Sequence, residues 1–541
     1  MVGILDIIGP VMVGPSSSHT AGAARLGSIA RALLGSEPRE ASITLYGSFA
    51  KTYRGHGTDR AIAAGILGMR PDDPCLRDSL ELAREKGVPI TFETSSEDAG
   101  HPNSVRMRLC GQDNAEVDVR GCSVGGGQVL VTSIDGMAVR ISGTRRAFVV
   151  KHRDAPGLIA AVTDVLADCG ANICDFSLSR ETRGGVAVMT IEVEGDVDER
   201  AEKRIRRLRD VVSCTSLAPV GDERDKGCAP VEVPDLSGID AHVSAAALSS
   251  FVDEAERSAK PLSSVILAQQ AEVGDDSAQA ILEQMGERLE VMSEAVEQGC
   301  AEGLRSTSGF TGGNARRMRD AVREGGCATG GLVGNVAYRA LAVSELNASM
   351  GRIVAAPTAG SCGIIPAVIL TLRDELGCSR DACVRGLVTA GGIGMLIQRN
   401  ATLAGAEGGC QAETGAAAAM AAATMVELLG GSAQASSDAA SMAIQALLGL
   451  VCDPVAGLVE VPCVNRNATG AMVAVTCAEM ALAGIPAKIS FDDAIEAMRR
   501  VGSTMPPSLR ETGEGGLAVT ASGMSMAREF HSRCSSCGMC G

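Results

Sequence analysis

Hydrophobic and polar positions recur with different periods along this chain. From about residue 240 to 530 apolar residues return every three or four positions, which predicts helices nearly throughout. The early ones, 244–259 and 277–298, are amphipathic. Later ones, 414–429, 439–450 and 468–483, are apolar on most faces and are expected to be buried all round. Small-residue loops part them: S-G-F-T-G-G-N (308–314), A-P-T-A-G-S-C-G (356–363) and the segments around Cys410, Cys452 and Cys463. Over 145–217 alternating strands and two helices follow the order βαββαβ, the ferredoxin-like split arrangement. Residues 1–143 read as α/β. A strand is expected at Val2–Ile8, a turn and serine cap before a helix from about Ala23, a strand at Ser42–Phe49, and another at Gln128–Thr132. Residues 218–238 carry Pro, Gly and charge without periodicity and read as a linker. The Cys-rich tail, 531–541, is polar and expected to be disordered unless anchored. The predicted fold class is multidomain: an N-terminal α/β domain, a ferredoxin-like βαββαβ domain and a C-terminal all-α domain (239–530).

Composition narrows this picture. Of 541 residues 45% are hydrophobic but only 2% aromatic, with no Trp. The core must be Ala, Val, Leu, Ile and Met, which favours close-packed helices. The net charge of −16 argues against nucleic-acid and anionic-membrane surfaces. No apolar run is long enough for a membrane span. Nineteen cysteines in so large a chain, with no basic region and cleavable apolar segment at its start, point to reducing cytoplasm and thiols that are free or metal-bound.

Two groups of residues carry candidate chemistry. Three of the six histidines, His19, His56 and His101, fall in polar or Gly-bounded stretches of the α/β segment. His19 is expected near a helix N-terminus, where free N–H groups suit a carboxylate; a plain serine cap explains the same pattern. His56 lies between Gly55 and Gly57, with Asp59 able to orient it or to cap the next helix. Ser123 precedes three glycines, an anion-binding nest or simply a turn. Cys410, Cys452 and Cys463 each lie at an interrupted helix end. Their spacing is that of neither zinc fingers nor ferredoxins, so buried inert thiols remain one reading and a three-thiolate metal centre the other. A pyridoxal-phosphate site needs a Lys beside a Gly-rich phosphate loop. Lys260 and Lys488 have none, and the surroundings of Lys51 fit a histidine loop better.

With D-A-P-G at 154–157 and A-N-I at 171–173, the βαββαβ segment resembles an ACT domain. That resemblance implies an amino-acid effector near Gly157 and Asn172, or a purely structural pairing module. Further motifs occur in order: G-P-S-S-S-H-T-A-G-A-A-R-L-G, Y-G-S-F-A-K-T-Y-R-G-H-G-T-D-R-A, H-P-N-S, S-V-G-G-G, A-A-P-T-A-G-S-C-G-I-I-P-A, G-G-C-Q-A-E, C-D-P-V-A-G-L-V-E-V-P-C and L-R-E-T. Together they resemble the iron–sulfur-dependent L-serine dehydratases (L-serine ammonia-lyases), with β- and α-type parts fused in one chain.

The resemblance implies that Cys410, Cys452 and Cys463 hold a [4Fe–4S] cluster whose open iron binds the carboxylate and hydroxyl of L-serine. It implies a histidine base, His56 first and His19 second, and release of an aminoacrylate that hydrolyses to pyruvate and ammonia. Ser16, Ser18, Asn103, Ser123, Thr358 and Ser361 become candidates for substrate contacts, and Arg466 and Arg510 for counter-charges. Each of these has a structural hydrogen bond or ion pair as its alternative. In some single-chain relatives a C-terminal Cys occupies the open iron, a role that Cys540 would take here. The active site is expected where the first and last domains meet, and a homo-oligomer is expected. The alternatives are a dehydratase for another β-hydroxy amino acid such as threonine, or a non-catalytic iron–sulfur amino-acid sensor.

Overall fold

The computed structural model describes residues 2–194, 197–198, 200–219, 230–274, 276–328 and 331–536. They fall into two compact units, Ser17–Glu223 and Met1–Ser16 with Arg224–Gly541.

The unit Ser17–Glu223 begins with a wide π-helical turn, Ser17–Gly22, that runs directly into helix α1 (Ala23–Leu34). Strand β1 (Pro38–Tyr46) follows, then helices α2 (Gly47–His56) and α3 (Thr58–Ile66). The strand expected over Ser42–Phe49 therefore ends at Tyr46, and the stretch expected as a His56 loop is a helix. Two glycines set its limits. Gly47, with φ of 54°, turns the strand into α2, and Gly57, with φ of 67°, ends α2 immediately after His56. Strands β2 (Ile90–Ser95), β3 (Ser104–Gly111), β4 (Glu116–Gly125), β5 (Gln128–Ile134) and β6 (Met137–Ile141) complete a sheet ordered β2-β1-β3-β4-β5-β6. Pairing is parallel between β1 and β2 and antiparallel elsewhere. Gly126 and Gly127, both at positive φ, form the two-residue hairpin between β4 and β5. The glycine run after Ser123 is thus a turn, not an anion nest.

Helices α1 and α3 cross where glycines let their backbones touch. A Cβ on Gly65 would lie 2.1 Å from the Ala24 carbonyl oxygen, and one on Gly27 would lie 2.5 Å from that of Ile62. This crossing fixes the turn that carries His19 against the helix that starts just past His56.

In the same unit β7 (Arg146–Arg153), α4 (Leu158–Asp168), β8 (Asn172–Arg180), β9 (Val186–Glu194), α5 (Arg200–Arg206) and β10 (Val211–Leu217) give the expected βαββαβ order. Their antiparallel sheet runs β10-β7-β9-β8. Phe148, Val150, Met189 and Ile191 face Leu158, Val162 and Ile205 in its core. It does not stand apart from the first sheet: the Ser142 N–H donates to Glu192 Oε1 at 2.6 Å, and Lys151 pairs with Asp135.

The other unit claims the first sixteen residues, so the α/β domain expected over 1–143 loses its start. Val2–Ile8 is not a strand. Ile4–Ile7 is a helical turn, and Val11–Val13 pairs antiparallel with Arg352–Val354. Ile4, Ile7, Ile8 and Met12 are all buried, and the Ile4 N–H donates to buried Gln270 Oε1 at 3.0 Å. A single helical turn is too short for its period to be told from that of a strand.

Helices α6 (Ala278–Gly299), α7 (Gly331–Ala348), α8 (Ile364–Leu376), α9 (Arg380–Asn400), α10 (Ala416–Leu428), α11 (Ala433–Leu447), α12 (Cys463–Leu482), α13 (Phe491–Thr504) and α14 (Ala521–Ser536) build most of the rest, with further helices at Leu248–Ser258, Leu262–Val273 and Asn314–Arg323. Helix α10 is the centre: Ala416 to Val426 are all buried, against α8, α9, α11 and α12. Its alanines let four neighbours approach closely, as the low aromatic content requires. Glu427 at its end is half-buried, accepting from Thr389 Oγ1 at 2.7 Å and the Ser263 N–H at 3.2 Å. Helix α14 carries the chain through Ser536, so the first part of the expected disordered tail is helical; Phe530 on it packs against Phe310 with ring centroids 6.0 Å apart. Cys537 and Cys540 lie outside the described residues. Among the described residues no helix is long and apolar enough to cross a membrane.

Gly65→Ala should push α1 and α3 apart and destabilise the protein by about 1–3 kcal/mol. A clear fall in melting temperature is expected; an unchanged melt would show that this crossing does not hold the unit together.

Candidate functional site

Three chain breaks in the helical unit converge on one point. Cys410 immediately precedes the π-helical turn Gln411–Gly415. Gln411, fully buried, clamps that turn: its N–H donates to Leu450 O at 2.9 Å, its Oε1 accepts from the Gly449 N–H at 2.8 Å, and its Nε2 donates to Met498 O at 3.0 Å. Cys452 sits between main-chain bonds, its N–H to Leu509 O and its carbonyl from the Glu511 N–H, both 2.9 Å. Cys463 is the first residue of α12. All three cysteines are buried.

Ligand atoms of Cys410, Cys452 and Glu413 lie within 4.8 Å of one another. The Cys463 sulfur is outside that group but close enough for Cys410 to act on it. A hydrogen bond with Cys410, followed by burial, pushes the Cys452 thiol well up. Burial, then Cys410 and Glu413, push the Cys463 thiol well up. Glu511 is pushed up to about 8 by burial and by Glu413. Burial also raises Glu413, partly offset by Thr358 Oγ1 donating to its Oε1 at 2.8 Å.

The A-P-T-A-G-S-C-G loop is bolted beside this point. Thr358 and Ser361 hydroxyls lie 3.1 Å apart. Asn467 on α12 accepts from the Gly363 N–H at 2.9 Å and donates to Gly360 O at 2.8 Å, while Asn347 donates to Ala359 O at 2.9 Å. The S-G-F-T-G-G-N loop hangs on two buried carboxylates. Glu345 accepts from the N–H groups of Gly312, Asn314 and Ala315 and from the Asn314 amide; Glu460 accepts from Ser308 Oγ at 2.8 Å and Thr311 Oγ1 at 3.3 Å.

Neither expected counter-charge is held ready for a ligand. Arg510 donates to Met505 O through Nε, at 2.7 Å, and through Nη2, and pins the turn below Cys452. Arg466 ion-pairs with Asp453 at 2.9 Å and donates to Val451 O at 2.9 Å and Cys410 Sγ at 3.5 Å. Glu413 and Glu511 are the functional-site residues that sequence reading passed over. The signal was present in G-G-C-Q-A-E and L-R-E-T, but a Glu three residues past a Cys also fits an exposed helix face.

The second cluster belongs to the unit Ser17–Glu223. His19 and His56 are both buried, with rings in an edge-to-face arrangement at 4.5 Å between centroids. His19 Nε2 lies 3.1 Å from Ser48 Oγ, and its ring meets Phe49 at 5.1 Å. Burial, then His56, lower the His19 pKa well below its ordinary 6.5, so the imidazole is neutral at physiological pH. Asp59 does not cap α3, which has no side-chain cap; its Oδ1 accepts from the Arg60 N–H at 2.8 Å, and burial raises it to about 6. The His101 loop is tied to the start of α2 through Pro102 O, which accepts from the Ser48 N–H at 2.6 Å. Asn103 and Ser123 are joined, with the Ser123 N–H on Asn103 O at 3.0 Å. A Cβ on Gly22 would lie 2.2 Å from Ser123 Oγ, so Ser123 sits over the turn that carries His19. Ser18 is half-buried in that turn, and Ser16 is buried at the end of the other unit's N-terminal segment. A polar cleft of about 850 Å³, lined by Lys51, Ser95, Glu97 and His101, opens beside this loop. Gly157, at φ of 85°, starts α4, and Asn172 begins edge strand β8.

The donor set suits a metal centre. Thiols and carboxylates become anions on ionisation; here the three thiols are buried, Glu413 and Glu511 are half-buried beside them, and Arg466 is the cation in contact. A bound cationic centre relieves the repulsion that otherwise keeps protons on the sulfurs.

Comparison with known proteins gives three family matches: serine dehydratase alpha chain over 245–518, serine dehydratase beta chain over 4–133, and AHAS small subunit-like ACT domain over 148–213. The L-serine dehydratase 2 of Escherichia coli (strain K12) is 32% identical, covering 96% of this chain and 99% of that protein. In Bacillus subtilis (strain 168), a probable L-serine dehydratase alpha chain is 46% identical over 50% of this chain and 89% of its own length. A beta chain of the same description and organism is 40% identical over 40% of this chain and 97% of its own length.

His19 generates a pH dependence. Its folded pKa lies below the unfolded one, so its contribution to stability is complete above about 6.5 and is lost as pH falls from there toward the lowered folded pKa. His19→Gln removes the penalty. The melting temperature of the variant relative to the parent should rise between pH 8 and pH 5; a constant difference would mean that His19 is not held neutral.

Proposed function

The chain belongs to the serine dehydratase family, with alpha-chain, beta-chain and ACT-like parts in one polypeptide, and we propose that this lyase deaminates L-serine to pyruvate and ammonia at a [4Fe–4S] centre. The observation that carries the reading is the convergence of Cys410, Cys452 and Glu413 within 4.8 Å from separate chain breaks, with Cys463 buried beside them. Cys410, Cys452 and Cys463 hold the cluster. When bound, such a cluster supplies a Lewis-acidic iron with one open position.

The chain's own residues do the remaining work. Burial of the thiol point excludes water. The Thr358 and Ser361 hydroxyls beside Glu413, and Ser16, Ser18, Asn103 and Ser123, are the substrate contacts we assign. The Cα proton goes to an imidazole of the His56–His19 pair. Burial favours that role, because a neutral imidazole accepts a proton near pH 7 where a carboxyl such as Glu511 keeps its own. Cys540 is assigned as a reversible occupant of the open position. An amino-acid effector near Gly157 and Asn172 completes the proposal, and a homo-oligomer is supported by exposed Phe176 and Leu178 on edge strand β8.

Anaerobically purified protein should be brown, carry about four irons per chain, and form pyruvate from L-serine. Colour and turnover should both disappear in air; turnover that survives air and iron chelation would sink the reading. Cys452→Ser should lose chromophore and activity together.

The histidine assignment separates from the cluster. His56→Ala should keep the chromophore and lower kcat by about a hundredfold or more. If His19→Ala has that effect and His56→Ala does not, the base is His19.

A further inference from the structure

Arg466 is one turn along α12 from Cys463, on the same helix. Its guanidinium reaches out to both other cysteine-bearing segments. Nη1 donates to Cys410 Sγ at 3.5 Å and to Val451 O, next to Cys452, at 2.9 Å. Nη2 lies 2.9 Å from Asp453 Oδ1, on the other side of Cys452. One side chain therefore links the three segments that present the thiols. Asp453 is itself fixed: it is 3% exposed, and its Oδ2 accepts from the Leu517 N–H at 2.7 Å. Both Nη1 and Nη2 are thus engaged with the wall of the site. This argues against the substrate counter-charge expected from sequence.

We propose that Arg466 is a positioning residue for the metal centre, tuning it through the Cys410 sulfur. The inference rests on the iron–sulfur reading above. A cationic N–H donor on a coordinated thiolate withdraws electron density from sulfur and stabilises the more negative, reduced state of the centre. Losing an electron becomes harder. That matters for a centre that works as a Lewis acid, since its task is to keep one oxidation state through turnover and not to pass electrons on. The planar fork of Arg allows sulfur, carbonyl and carboxylate to be engaged together; Lys keeps the charge but not the fork, and Gln keeps a donor but no charge.

The test uses full-length protein, purified or reconstituted without oxygen, as parent, Arg466→Lys and Arg466→Gln. Two readouts are followed: the reduction potential, by a titration monitored by electron paramagnetic resonance, and the rate at which visible absorbance bleaches in air. The potential should become more negative in the order parent, Lys, Gln, and bleaching should quicken several-fold in Gln and less in Lys. A merely structural role would lower thermal stability without this graded shift. Gln variant protein with full iron, parental potential and parental bleaching overturns the proposal. If the Gln variant takes up no iron, the Lys variant decides by the same two readouts. If neither variant takes up iron, Arg466 acts in assembly and the tuning proposal is overturned. A parent that never acquires a cluster overturns the iron–sulfur reading itself, an outcome distinct from a parent with a cluster that Arg466 does not influence.

Discussion

Cys410, Cys452, Cys463, Glu413 and Glu511 are acids gathered around one buried point, and the electrostatics of that gathering governs the helical unit. Two like charges 4 Å apart repel by about 4 kcal/mol at an effective dielectric constant of 20. Burial adds a desolvation penalty for every ionised group. The chain's own answer is to keep protons on: the Cys452 and Cys463 thiols are pushed well up, and Glu511 to about 8. Arg466 offsets one negative charge and no more. Such an arrangement is costly for a fold with nothing to bind there, and it becomes favourable once a cationic centre replaces the protons.

Holding mutually repelling groups in place requires a stiff frame. The frame is made of small residues and buried polar bolts. Helix α10 presents alanine to four neighbours, so the turn from Gln411 to Gly415 cannot drift. Gln411, Asn467 and Asn347 tie loops to helices through main-chain groups. Glu345 shows why a buried carboxylate is tolerable in this setting. It accepts three N–H groups and one amide. At about 1.5–3 kcal/mol for each hydrogen bond to a charged group, four of them offset a desolvation cost of several kcal/mol. The S-G-F-T-G-G-N loop is thereby fixed from one side by Glu345 and from the other by Glu460.

Much of this was legible in the sequence, for reasons of period and composition. In the βαββαβ segment the edge strand Asn172–Arg180 alternates, and the central strands Arg146–Arg153 and Val186–Glu194 are apolar β-branched runs bounded by turn residues. The apolar helices show because only helical packing buries Ala and Met on all sides. Other features were hidden. Ile4–Ile7 and Val11–Val13 are too short, at four and three residues, to complete enough periods to tell helix from strand. Helix α2 reads as a loop because Gly47, Gly55 and Gly57 bracket a polar run, and only the burial of Phe49 and His56 reveals the helix. The cysteines were visible as residues at helix breaks; their convergence depends on contacts between positions far apart in sequence. The roles of Arg466 and Arg510 were illegible for the same reason. A guanidinium bonded to a carbonyl or a sulfur has the same sequence as one waiting for a substrate.

Burial acts in opposite senses on the two clusters, and this decides where a proton acceptor is available. Around the thiols it raises Cys452, Cys463, Glu413 and Glu511, so on the chain's own charges Glu511 keeps its proton at neutral pH. In the unit Ser17–Glu223 it lowers His19, which leaves a neutral nitrogen base at the same pH. A second imidazole next to it strengthens the effect, since protonating either ring makes protonating the other harder. Asp59, raised to about 6 by burial, is still mostly ionised at neutral pH, and its carboxylate is spent on the Arg60 N–H. The fold thus keeps the His19 imidazole neutral through burial and its neighbouring ring, and gathers potential negative charge around the cysteines. Beside the thiols a carboxylate base such as Glu511 keeps its proton at neutral pH; a buried imidazole with a lowered pKa is neutral without any such change.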